Sequence, residues 1–333
     1  MALSHSRGLD RLVETYLLNS HYSRLLLVAL QTTIPQDPVH TLCFKHNTTP
    51  GDFLRGKMGE LARRPNIQEE LEKKRKKIYS SVSQTAKDMN SGLTLKGRVA
   101  LVTGAAKRLG RHVAVRLAGE GADIAVHYGK SETEAHALVE EIKRQGRRAA
   151  AFSADLTNVQ AISCLIAKAA GHFGQLDILI NSAANFLRVK FGETTQESWD
   201  TSLDTNLRAP FFCAQAAAPY LAKSGKGIII NFADIGGLLA WPEFLPHSIS
   251  KSGVILITRA LAKELAPEIR VNAIAPGMVS LPEDPPEWDQ SYSQRAPLKR
   301  RGRPDEIADA VTFLINLEFA TGQVLVLDGG RSL

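Results

Sequence analysis

Cysteine is scarce in this chain. Its three residues, Cys43, Cys164 and Cys213, are far apart and odd in number. That usage implies a reducing compartment and no metal site. Long apolar runs are missing as well. The longest near the start, Leu25-Leu26-Leu27-Val28-Ala29-Leu30, falls far short of the roughly 18–20 residues a membrane span needs. It also lacks a clear small-residue cleavage site, which argues against a secretory signal. A cytoplasmic protein is the expectation. Net charge is +7, and most of the basic excess belongs to residues 1–93, with 14 Lys/Arg against 9 Asp/Glu. The run Lys73-Lys74-Arg75-Lys76-Lys77 has no interleaved aromatics on which bases could stack. It follows Glu69-Glu70-Leu71-Glu72 and reads as a solvated helix face. Neither a nucleic-acid nor a membrane partner is expected.

Residues 1–93 read as a separate extension. Pro35, Pro38, Pro50 and Pro65 break it, and its apolar positions are sparse. Helical patterns lie at about 8–30 and 67–88, with no repeat and no chemical motif. Met89 stands just before the point where a compact domain, 94–333, begins. Three readings stay open: an overextended reading frame, a targeting arm and an interaction arm.

The rest of the chain is organised around Thr103-Gly104-Ala105-Ala106-Lys107-Arg108-Leu109-Gly110. An apolar run, Val99-Ala100-Leu101-Val102, precedes it, and a helical pattern at 111–119 follows. Strand, tight glycine turn, helix is the setting in which such a turn binds a phosphate. The glycines let the backbone turn sharply and come close to a diphosphate. The helix N-terminus then offers unpaired N–H groups and about half a positive charge. The middle glycine of the usual triplet is Arg108 here.

Short apolar runs then alternate with helical stretches. Strands are predicted at 122–127, 149–152, 176–180, 227–232, 270–274 and 323–327. Helices are predicted at 132–145, 159–173, 199–221, 247–265 and 304–314. Strands buried on both faces and alternating with helices mean an α/β fold, a doubly wound parallel sheet with helices on both faces. Roughly 235 residues suffice for one such domain with a large core.

These motifs carry a resemblance. Residues 97–333 resemble a short-chain dehydrogenase/reductase, a Rossmann-type fold, through the 103–110 turn, Asp155-Leu156, Asn181-Ser182-Ala183-Ala184, Asn206, Lys251, Pro276-Gly277, Thr321-Gly322-Gln323 and Asp328-Gly329-Gly330. Within the family, the turn, His127-Tyr128-Gly129-Lys130-Ser131 and the C-terminal Asp328-Gly329-Gly330-Arg331-Ser332-Leu333 resemble the pteridine reductase branch. The resemblance implies reduction of a dihydropterin or dihydrofolate with NADPH, and assembly as a homotetramer.

The cofactor preference has a physical basis. An NAD enzyme places Asp or Glu at the end of the second strand to hold the ribose hydroxyls. Here that strand ends in His127-Tyr128-Gly129. A 2′-phosphate would meet Lys107, Lys130 and Ser131 instead, and ammonium groups and a hydroxyl favour it. The resemblance places Asp155 and Leu156 at the adenine. It places Asn181 and Ala183 along the central part of the cofactor, and Pro276 and Gly277 beside the nicotinamide. Arg108 would lie near the diphosphate and within reach of a substrate ring.

The family's usual proton source is a Tyr with a Lys four residues later, one turn along the same helix face. This chain has His247-Ser248-Ile249-Ser250-Lys251. The Lys is present and His247 stands in the Tyr position. Three roles for His247 are open: a general acid, able to donate an N–H when neutral or a proton when charged; a group that only positions substrate; or a structural residue in a protein with little turnover. In the second case Asp234, with a bound water, would deliver the proton. The pteridine branch also has Asp at the Asp234 position, where it contacts the pterin. Phe186 matches an aromatic on which the pterin stacks, and Asn206 the helix residue that supports Lys251 through a water and a helix kink. The segment 281–299, with Pro282, Pro285, Pro286, Trp288 and Tyr292, reads as a lid over the substrate. Two rival readings remain: a 3-oxoacyl-type carbonyl reductase, and an NADP(H)-binding protein with weak catalysis.

Overall fold

The computed structural model describes residues 95–282, 284 and 292–333. The predicted helices at 8–30 and 67–88, Cys43, the basic run at 73–77, and Pro285, Pro286 and Trp288 lie outside the described residues. Seven strands form one parallel sheet: β1 (Val99–Val102), β2 (Asp123–Tyr128), β3 (Ala149–Ser153), β4 (Ile178–Asn181), β5 (Gly227–Phe232), β6 (Ile269–Pro276) and β7 (Val324–Leu327). Their order is β3-β2-β1-β4-β5-β6-β7. The order reverses between β1 and β4, so a crevice opens at their C-terminal ends.

Successive side chains of a strand point to opposite faces, and both faces are covered. Ala100, Val102, Ile124, Val126, Ile228 and Ile230 pack with α1 (Arg108–Gly119), α2 (Glu132–Arg144) and α7 (Pro304–Asn316). Val99, Leu101, Ala125, Leu179, Ile229 and Val271 pack with α3 (Val159–Phe173) and α5 (Ala209–Lys223). A smaller cluster sets Val254 and Ile255 of α6 (Leu245–Glu264) on Ala273 and Ala275 of β6. These aliphatic strands follow the pattern expected of a sheet with no solvent face. Among the described residues no helix is long and apolar enough to cross a membrane.

Element ends differ from expectation by a residue or two, with two larger exceptions. The first helix starts at Arg108, three residues early. The expected single helix at 199–221 is three pieces: α4 (Gln196–Leu203), a π-turn (Asp204–Arg208) and α5. Pro210 is in the first turn of α5. It has no N–H to bond the carbonyl four residues back, so the α-ladder cannot run through it. The π-turn turns Asn206 inward and buries it.

Candidate active site

The glycine turn is fastened to its neighbours at several points. Thr103 Oγ1 accepts the N–H groups of Ser182 (3.0 Å) and Ala183 (3.1 Å), tying the end of β1 to the loop after β4. Gly104 has φ +64°, and a Cβ there would stand 2.9 Å from Ala183 Cα. A Cβ on Gly110 would stand 2.5 Å from the Gly104 carbonyl oxygen. Both positions therefore require glycine for space, and Gly104 also for its backbone angle. Arg108 stands in the left-handed region at φ +52° without being glycine. Its guanidinium reaches Asp284 Oδ1 at 3.4 Å. Leu109 packs half-buried against the core behind the turn.

His127 does something other than meet a phosphate. Its ring is buried, Nδ1 accepts the Gly104 N–H (3.0 Å), and Nε2–H donates to the Ala154 carbonyl (3.1 Å). Both nitrogens are engaged, so this residue holds the turn and leaves the ligand to others. Burial pushes its imidazole down to about 4. Lys107 is paired with Glu134 of α2 at 2.8 Å, and that contact holds the Glu134 carboxyl below its ordinary value. Ser131 is the residue before α2, and Lys130 is exposed beside it. Asp155 accepts the Thr157 N–H (2.9 Å) and hydroxyl (2.8 Å), which lower its pKa. Leu156 is buried beneath it. Asn181 donates to Asn231 Oδ1 (2.8 Å), while its own Oδ1 is buried without a partner. Pro276 ends β6, and the Gly277 N–H bonds the Leu327 carbonyl.

At the next crevice along, α6 brings His247 and Lys251 to the end of β5. The Lys251 Nζ donates to the Phe232 carbonyl at 2.7 Å. Burial pushes its ammonium down to about 8, against the raising influence of Asp234. Asp234 follows β5 and accepts the Gly236 N–H at 2.5 Å. Its Oδ1 lies 3.9 Å from His247 Nε2, a buried nitrogen with no hydrogen-bond partner. Phe186 is 53% exposed. One of its faces stacks on Phe244 (4.5 Å, 20°), and its ring meets His247 edge to face at 4.7 Å. Asn206 is bound to the loop after β4. Its amide clasps the backbone of Asn185, accepting that N–H (2.8 Å) and donating to that carbonyl (3.0 Å). The helix kink is present as the π-turn, but the amide faces Asn185 and His247.

Asp234, His247, Lys251, Asn206 and Phe186 therefore converge at one end of the sheet, next to the turn that carries Gly104, Arg108 and Gly110. Asn185, Phe244, Asp284 and Arg301 join them without having been singled out from sequence. The Arg301 guanidinium bonds Asp284 Oδ2 (2.9 Å) and Ser280 Oγ (3.0 Å) at the root of the expected lid. No spacing rule links these residues, which come from separate loops.

Residues 104–332 match the family described as Enoyl-(Acyl carrier protein) reductase. The chain is 35% identical over 237 residues to a 3-oxoacyl-[acyl-carrier-protein] reductase, FabG, of Staphylococcus aureus, covering 69% of this chain and 96% of that one. It is 35% identical over 245 residues to (2S)-[(R)-hydroxy(phenyl)methyl]succinyl-CoA dehydrogenase subunit BbsD of Thauera aromatica, covering 72% and 98%. A crystal structure of a short-chain dehydrogenase from Burkholderia cenocepacia in complex with NADP superposes with a TM-score of 0.68 at 33% identity, covering 72% and 99%. The glycine turn, the crevice at the sheet's reversal point and these matches agree: the chain belongs to the short-chain dehydrogenase/reductase family of NAD(P)-dependent oxidoreductases.

Proposed function

We propose that the protein is an NADPH-dependent reductase of a flat, nitrogen-bearing ring of the dihydropterin type. The observation that carries this reading is the platform at Phe186. A half-exposed aromatic ring, backed by Phe244 and His247, stands in the same site as the Asp234 carboxylate. A planar ring can stack on the first while its N–H groups donate to the second.

The turn fits a dinucleotide. Gly104 and Gly110 leave out a Cβ at the turn's two tightest points, and the turn opens α1, whose N-terminal N–H groups favour a diphosphate. Thr103, Gly104, Arg108, Leu109 and Gly110 would hold that group. Lys107, Lys130 and Ser131 would take the 2′-phosphate, and no acid ends β2 to repel it. Asp155 and Leu156 would meet the adenine, Asn181 and Ala183 the central part, Lys251 the ribose, and Pro276 and Gly277 the nicotinamide. The bound cofactor supplies a hydride. The chain's own share is to stack the ring on Phe186, orient it with Asp234 and Arg108, and manage a proton at Asp234 and His247. An apolar groove lined by Leu203, Leu207, Phe211 and Ile257 supports a homo-oligomer, with a tetramer as the family expectation.

The sequence relatives favour a second reading, reduction of a 3-oxoacyl thioester. Steady-state NADPH oxidation with dihydrobiopterin, dihydrofolate and an acetoacetyl thioester separates the two. Turnover of the pterins is expected, and Phe186→Leu raises their KM more than it lowers kcat. Turnover of the thioester alone sinks the pterin reading.

A further inference from the structure

The surroundings of His247 determine which of its nitrogens carries hydrogen. Asn206 Oδ1 accepts the Asn185 N–H at 2.8 Å, which fixes the orientation of the amide. Its Nδ2 then faces the Asn185 carbonyl (3.0 Å) and Asn185 Oδ1 (3.4 Å), so both amide hydrogens have acceptors. His247 Nδ1 lies 3.3 Å from that same carbonyl and 3.5 Å from Asn206 Nδ2. A carbonyl oxygen only accepts, so the nearer contact is favourable only if Nδ1 carries the hydrogen. A bare Nδ1 would set two lone pairs against each other. A neutral imidazole has one N–H. Nε2 is therefore bare whenever the ring is neutral. It is also buried, partnerless and 3.9 Å from an acceptor, Asp234 Oδ1.

We propose that Asn206 is a positioning residue that acts through the backbone of Asn185 to hold neutral His247 in the Nδ1–H form, so that Nε2 accepts from the ligand when neutral and releases a proton only as imidazolium. This rests on the reading of the pocket as a substrate site. It removes one expected role, the neutral imidazole as N–H donor to substrate. It also narrows the ligand. In the form that delivers the proton, Nε2–H is a donor and the Asp234 carboxylate an acceptor, so a ring stacked on Phe186 must bring a lone pair to Nε2 and an N–H or amino donor to Asp234. In reduction the imidazolium Nε2–H bond breaks, its electron pair stays on nitrogen, and the proton joins the substrate, with the two electrons coming from the reduced dinucleotide. Two charged side chains stand near that proton: Asp234, from the loop after β5, and Lys251, one turn along α6. The other groups that face the ring, Asn185, Asn206 and Phe186, carry no charge.

The test is nitrogen NMR of the full, ligand-free chain labelled with 15N-histidine, recorded where imidazoles are neutral. The His247 signal is identified by its loss in His247→Gln. The expected spectrum shows a protonated Nδ1 and a bare Nε2. A neutral ring protonated at Nε2 overturns the proposal outright, whatever the substrate is. Asn206→Ala is expected to mix the two forms. Asn206→Asp keeps an acceptor for the Asn185 N–H and places a carboxylate oxygen where the amide nitrogen stood, so it retains the Nδ1–H form. Should Asn206→Ala fail to fold, the wild-type spectrum and Asn206→Asp decide. Failure of every pterin to turn over would sink the substrate assignment and leave the spectrum to decide this one.

Discussion

Gly104 and His127 are joined by a 3.0 Å hydrogen bond, from the glycine N–H to the imidazole Nδ1. The first glycine of the turn between β1 and α1 is thus held by a side chain from the neighbouring strand, and that side chain must be neutral to accept. In the unfolded chain His127 titrates near 6.5, and in the folded protein at about 4. Between these values the unfolded chain holds more protons. Stability therefore falls as pH falls from 6.5 to 4, by about 3 kcal/mol. Denaturant melts of wild type and His127→Phe across that window check this. The variant lacks that part of the slope and, with no acceptor for Gly104, binds NADPH about tenfold or more weakly at pH 7.

Two glycines of α1 are expected to behave oppositely when changed to alanine. In Gly110→Ala the new methyl meets the Gly104 carbonyl oxygen at 2.5 Å, a backbone atom that cannot step aside. NADPH affinity is lost by a hundredfold or more, on the order of 3 kcal/mol. In Gly119→Ala the methyl meets nothing within 4 Å. That variant gains about 0.5–1 kcal/mol of stability with unchanged affinity. Calorimetric titration and thermal melts read both.

Asp284 and Arg301 are an ion pair in which each side chain is 3% exposed. Removing the carboxylate takes the Asp284 charge away from a guanidinium that is shut off from water. Asp284→Asn is expected to cost about 3–5 kcal/mol, and Asp284→Leu with Arg301→Met to recover most of it. Urea melts of the single and double variants give the comparison. A single variant within 1 kcal/mol of wild type would show that the pair contributes little.

Lys251 is the opposite of a stabilising charge. It titrates near 10.5 unfolded and at about 8 in the folded protein, because burial opposes the ammonium. The unfolded chain holds more protons between these values, so stability rises with pH from about 8 to about 10.5, by on the order of 3 kcal/mol. Lys251→Met lacks that rise and is more stable than wild type at pH 7. It should show no turnover under the proposed role of Lys251 at the ribose. Melts at pH 7 and pH 10 read the stability, and NADPH oxidation reads the activity.

The fold could be read closely from the chain. Ile228-Ile229-Ile230 and Val99-Ala100-Leu101-Val102 are apolar at every position, which suits strands covered on both faces, and the glycine turn does join β1 to α1. The π-turn was not legible. Apolar spacing runs through 199–221, and Pro210 lies at a helix position where a first-turn proline and a helix break look the same in sequence. Individual site residues were legible as types. Asp234, His247 and Lys251 do gather at the end of β5. Their contacts were not, as His127 shows: nothing in its place along the chain says that its ring bonds the backbone of Gly104 and Ala154.

By itself the sequence determined the alternation of strands and helices, the bend of the glycine turn, and the lysine one helical turn beyond an imidazole, because these depend on neighbours along the chain. The tertiary structure alone decided which backbone carbonyl faces His247, which carboxylate holds Arg301, and that Asn206 faces Asn185. Each of those depends on a backbone or side-chain atom brought in from another loop, and such a partner leaves no periodic mark in the sequence.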